Sequence, residues 1–136
     1  MTPAEERQGL ITGNREMDGE HVLQLHLLRE LVQNLDAGDV AAAAEVFESL
    51  DHFTSAHFLA EELLMRLHAY PDFEAHAGAH AGFVGELKSL AARLSAGADE
   101  TLREEVDAFA RRLLAHIATA DHALGEFQRT RGIAAP

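Results

Sequence analysis

Imidazoles and carboxylates recur along this chain at the spacing of helical neighbours. His57 and Glu61 stand four apart in HFTSAHFLAEELLM (52–65), and His76 and His80 stand four apart in HAGAHAGF (76–83). Such i,i+4 pairs lie on one helical face about 6 Å apart, which suits two ligands of one metal centre or of adjacent centres. His21 and the pair His116 and Asp121 complete a set of five imidazoles and two carboxylates. Seven ligands are too many for one ion. Two carboxylates can bridge two ions while the imidazoles fill the remaining positions, and an odd number of imidazoles leaves one ion an open position. The chain has no cysteine, so its donors are nitrogen and oxygen, which suit iron, with zinc and manganese as alternatives. An open position on a redox metal is where a small ligand such as O2 would bind.

Four helices are expected to position this set. At 136 residues the chain is one domain, long enough for a real core. Hydrophobic residues make up 47% of it, but aromatics only 6%, which favours helices over a sheet. Residues 1–17, with Gly9 and Gly13, read as a polar N-terminal arm. A helix capped by Asp18 is expected to run to about Asp36. DAGD (36–39) breaks the chain, and Asp39 caps a second helix to about Ala69. YPD (70–72) stops that helix, and Asp72 caps a third to about Ser95. After SAGAD (95–99) a fourth runs from about Asp99 to Arg129. The short loops predict an all-α, antiparallel up-down-up-down four-helix bundle over residues 18–130, with a tail at 131–136.

The inward stripes advance in alternating steps of three and four. They are Asp18, His21, Leu25, Leu28, Val32 and Leu35, then Phe47, Leu50, Thr54, His57, Glu61, Leu64 and His68. The third is Phe73, His76, His80, Phe83, Leu87, Leu90 and Leu94, and the fourth begins Leu102, Val106, Phe109, Leu113, His116. There the step fails. Asp121 follows His116 by five, which rotates it roughly 140° off the face of an ideal helix. One π-turn would restore alignment, so a π-bulge is expected between His116 and Asp121. Burial of Glu61 and Asp121 without partners would cost several kcal/mol, which a metal offsets better than internal hydrogen bonds.

MDGEH (17–21), HFLAEELLM (57–65), HAGAHAGF (76–83) and HIATAD (116–121) together resemble the hemerythrin family in its bacterial, single-domain branch. The resemblance covers about residues 17–128, with all seven positions matching in type, order and spacing. It implies a non-haem di-iron centre. His76, His80 and His116 would bind one iron and His21 and His57 the other. Glu61 and Asp121 would bridge the pair, with an oxo or hydroxo group as third bridge. It further implies that O2 binds at the iron with two imidazoles. Phe58, Leu113 and Ile117 would wall that pocket against water and anions. Gln24 departs from the family, which usually carries a large apolar pocket residue three places after the first-helix histidine. Its amide either meets the bound ligand or faces a helix boundary. The arm also lacks the family's aromatic residues.

The other polar residues read more plainly. His26, His52 and His122 fall off the stripes and are expected in solvent, and His68 is expected to cap a helix end. Glu62 faces a helix boundary, with a second role available as the partner of a ligand histidine. Leu63, Leu64 and Met65 read as core. The formal charge of −12 argues against a nucleic-acid partner. No apolar run reaches membrane-spanning length. MTPAEERQGLITG lacks the pattern of a signal peptide, which makes the cytoplasm the default compartment. Reversible O2 binding for storage, delivery or sensing is the leading expectation, with the protein more a carrier than an enzyme. The alternatives are a di-iron redox enzyme acting on peroxide or nitric oxide, for which no tyrosine or cysteine stands out as a radical partner, and an O2 or redox signalling module. Any redox or oxygen-using partner protein is unspecified.

Overall fold

Asn14, not Asp18, opens the first helix in the computed structural model, which describes residues 11–97 and 99–131. Residues 1–10 of the expected arm and 132–136 of the expected tail lie outside the described residues. Helix α1 spans Arg15–Asp36, α2 Val40–Leu67, α3 Phe73–Ala96 and α4 Glu100–His116; a π-helical turn, Ile117–Asp121, leads into α5, His122–Thr130. The last three form one continuous rod, so four rods make up an all-α bundle, with no strand among the described residues. Rod contacts run α1–α2, α2–α3, α3–α4 and α4–α1, closing a ring. No helix among the described residues is long and apolar enough to cross a membrane.

Side-chain caps and left-handed turns set the boundaries. The Met17 N–H donates to the Asn14 side chain at 3.2 Å, Ala42 to Asp39 at 3.1 Å and Leu102 to Asp99 at 2.7 Å; each satisfies an orphan donor of a first turn. Asp72 occupies the cap position of α3 without a side-chain bond. Asn14 starts α1 one turn before Asp18 and leaves the Asp18 carboxylate to accept from Thr12 N, Thr12 Oγ1 and Gly13 N. At the end of α1, Gly38 takes φ 71° while Gly38 N and Asp39 N donate back to the carbonyls of Leu35 and Asn34. The α2 terminus repeats this pattern with Ala69 at φ 51°, Ala69 N donating to Arg66 O and Tyr70 N to Met65 O. Such a terminus packs the residue beyond the turn onto the last helical turn, and Tyr70 joins a small apolar cluster with Met65 and Leu124.

Half of the bundle is a continuous aliphatic core. Leu25, Leu28 and Leu31 meet Val46, Phe47 and Leu50, Leu87, Leu90 and Leu94, and Leu102, Val106, Phe109 and Leu113. Two expectations fail near the other end. Leu63 is 56% exposed, and the core position of the last α2 turns belongs to Met65, with Leu64 only half-buried. A stripe with a mean step of 3.5 drifts against a helix of 3.6 residues per turn, and by this point it has moved one residue. His68 sits at the C-cap position, and His26, His52 and His122 are exposed, as expected.

Candidate metal centre

Between the aliphatic core and the Met65–Tyr70–Leu124 cluster, the stripes turn polar on all four rods. His21, His57, Glu61, His76, His80, His116 and Asp121 are each 8% exposed or less. The π-turn falls where the His116–Asp121 spacing requires it, and it brings His116 Nε2 within 3.2 Å of Asp121 Oδ1. All five imidazoles present Nε2 to the two carboxylates. Asp121 Oδ1 lies 2.9 Å from His76 and Oδ2 lies 3.1 Å from His21. Glu61 Oε1 lies 2.5 Å from His76 and 3.1 Å from His80, and Oε2 lies 3.6 Å from His57.

This arrangement divides itself in two. Each carboxylate turns one oxygen toward His76, His80 and His116 and the other toward His21 and His57. Ligand atoms of Glu61, His76, His80, His116 and Asp121 all lie within 4.8 Å of one another, as do those of His21, His57, Glu61 and Asp121. His57 Nε2, His80 Nε2, His116 Nε2 and both Asp121 oxygens are buried without a hydrogen bond among the described residues. Unpaired buried groups are costly. Nitrogen and oxygen donors left unpaired at this spacing could hold metal.

Charge couples the two groups to each other. Burial alone would raise the Asp121 carboxyl, but the imidazoles of His116, His21 and His76 hold it well below the ordinary carboxylate range. Burial alone would lower His76, but the adjoining carboxylates of Asp121 and Glu61 raise it to about 9. Without metal, that shift favours a protonated His76 imidazole beside the two carboxylates.

Outer partners fix two of the rings. His57 Nδ1 donates to Glu20 Oε1 at 3.0 Å and His80 Nδ1 to Glu62 Oε2 at 2.9 Å. Each bond sets the tautomer that leaves Nε2 free to face the carboxylates. Glu62 thus takes the second role that its sequence position offered. Glu20 was not legible, because its partner belongs to another helix; the only signal was an acidic residue beside His21.

Phe58, Leu113 and Ile117, expected as pocket walls, and Gln24 are all buried. The Phe58 ring stacks on His80 at 3.8 Å with 2° between planes, and Leu113 and Ile117 are 1% exposed. Gln24 lies on the α1–α2 boundary and is buried, its Nε2 donating to Thr54 Oγ1 at 3.0 Å and its Oε1 without a hydrogen bond among the described residues. Tyr70 was read in the sequence only as part of a helix stop. The single tyrosine, not expected near the centre, is buried with its ring edge-on to His76 at 6.4 Å. Burial, then the charges of Asp72, Asp121 and Glu61, push its phenol pKa up.

Comparison with known proteins agrees with this geometry. Residues 12–127 match the family model described as Hemerythrin HHE cation binding domain. Over 90 residues the chain is 32% identical to the bacteriohemerythrins of Pseudomonas aeruginosa strains LESB58 and UCBPP-PA14 and of Pseudomonas paraeruginosa strain PA7. The matched stretch is 66% of this chain but 59% of the relatives' own length.

Proposed function

The chain belongs to the hemerythrin family and its fold is that of a non-haem iron-binding domain, and from that premise we propose that it holds two iron ions and binds O2 reversibly. The observation that carries this reading is the buried set of five Nε2 atoms around two carboxylates, split three to two. His76, His80 and His116 would hold one ion and His21 and His57 the other. Glu61 and Asp121 would give one oxygen to each. An iron pair supplies the two electrons that reversible O2 binding needs. The ion with two imidazoles would keep the open position.

The protein's part is to orient and to exclude. Glu20 and Glu62 hold the tautomers of His57 and His80. Phe58, Leu113 and Ile117 keep water and anions from the centre, where a dry environment suppresses side reactions. Iron-loaded, reduced protein exposed to air should develop a ferric absorption band that disappears on degassing. A band that never reverses would defeat the carrier reading. Buried Tyr70 beside His76 favours a second reading, a redox enzyme acting on peroxide, and sustained peroxide turnover with an added reductant would establish it.

Gln24 sets the lifetime of the reduced protein in air. It lies one turn from His21, and Thr54 lies one turn from His57. Because α1 and α2 run antiparallel, both lie on the same side of the imidazole pair. The unpaired Gln24 Oε1 is an acceptor that draws water or a protonated ligand toward the centre. Gln24→Leu should slow irreversible oxidation in air about fivefold, the scale of one hydrogen bond near 1 kcal/mol. Decay of the visible spectrum measures it, and an unchanged or faster decay would remove Gln24 from the pocket.

A further inference from the structure

None of the seven candidate ligands is more than 8% exposed, so an ion reaches them only when part of the protein moves. We propose that the segment Thr12–Asn14 is the gate through which iron enters and leaves; the proposal rests on the di-iron reading above. Under this segment lies a cavity of about 10 Å³, lined among others by Thr12, Asn14, His21, Glu61, Asp121 and Gln128. It has room for about one water molecule. It also touches both carboxylates, which make the first favourable contact for a cation leaving its hydration shell.

The roof of this cavity is the part of its enclosure that opens at least cost. Thr12–Asn14 precede the first helical residue and are tied down by side chains. Arg129 Nη1 donates to Thr12 O at 2.8 Å, Asn14 Nδ2 to Gln128 Oε1 at 3.4 Å, and Thr12 and Gly13 donate to Asp18. The segment also lies hard against α5. A Cβ on Gly125 would stand 2.2 Å from the Thr12 carbonyl oxygen, so only glycine allows this approach.

Other approaches are blocked by helices. The groove between α2 and α3 reaches Phe58, Glu62 and His80. There His80 presents the Nδ1 that Glu62 already holds, while its Nε2 faces Glu61. Leu113 and Ile117 close the interior on the fourth rod. Passage by either route requires whole helices to separate, whereas passage under Thr12–Asn14 requires a few hydrogen bonds to break.

The test is iron release from the loaded 136-residue chain to an excess ferrous chelator, followed by absorbance under anaerobic conditions. Arg129→Ala removes the bond to Thr12 O and should speed release about tenfold, the scale of losing one charge-assisted hydrogen bond. Gly125→Ala displaces the segment and should speed it at least as much. Val106→Ala weakens the core away from the gate and should leave the rate unchanged. Wild-type release from Arg129→Ala would overturn the gate whatever Gly125→Ala does. Equal acceleration by Val106→Ala would overturn it too, since release would then track general loosening. A wild-type chain that takes up no iron would bring down the di-iron reading and the gate together; normal loading with unaltered release brings down the gate alone.

Discussion

Glu61→Ala should lose the paired metal centre, with iron affinity falling by more than about a hundredfold, and Asp121→Ala should do the same. Substitution of an outer partner of a metal ligand typically costs about ten- to a hundredfold, and these two residues lie closer to the centre than any outer partner. Glu61 Oε1 faces His76 and His80 while Oε2 faces His57; Asp121 divides in the same way between His76 with His116 and His21. Removing either carboxylate takes one donor from each half and a negative charge from beside five imidazoles. Glu62→Gln is the contrast. It weakens the bond that orients His80 but leaves all seven donors, so iron should still bind in a pair, about ten- to a hundredfold more weakly. Iron analysis and the absorption spectrum distinguish these outcomes. Full iron content with an unaltered spectrum in Glu61→Ala or Asp121→Ala would show that the carboxylates do not bridge.

The parts of this protein legible in its sequence are those governed by helical period. Steps of three and four place His21, His57, Glu61, His76 and His80 on inward faces before any packing is known. The five-residue step from His116 to Asp121 could be reconciled with those faces only by a π-turn, and Ile117–Asp121 forms one. Features that depend on contact between distant residues were not legible. Asn14 and Asp18 are equally good capping types four residues apart, and the choice between them follows from Thr12 and Gly13 needing the Asp18 carboxylate. The pairing of Glu20 with His57 and that of Arg129 with Thr12 span 37 and 117 residues. Tyr70 was visible only as a helix stop. It turns inward because Ala69 adopts a left-handed conformation, which no local preference of alanine foretells. Leu64 shows the opposite error: a correct period extended over too many turns placed it on the stripe, and it is only half-buried beside the fully buried Met65.

Stripping the iron should lower the melting temperature by more than about 10 °C, and the gap between loaded and stripped protein should widen as pH rises. A ligand present at about a thousand times its Kd stabilises by about 4 kcal/mol, and a domain of this size shifts by a few degrees for each kcal/mol. The pH dependence comes from the proton that replaces the metal. In stripped protein His76 has its pKa raised from 6.5 to about 9, the adjoining carboxylates of Asp121 and Glu61 outweighing burial. Because the folded pKa exceeds the unfolded one, this stabilisation is fully present below pH 6.5 and is lost as pH rises through about 9. Its size is on the order of 3 kcal/mol. Asp121 has the opposite sign. Its pKa is lowered from 3.8, so its contribution holds above that value and fails only in stronger acid. Stripped protein should therefore be most stable between pH 3.8 and 6.5 and weaken steadily toward pH 9. Metal ligation requires neutral imidazole, so the loaded protein has no use for this proton and gains as it leaves. Loading at neutral pH should release protons, measurable with an indicator dye in weak buffer. A stripped protein whose melting temperature stays level from pH 6.5 to 9 would mean that His76 holds no proton between the two carboxylates.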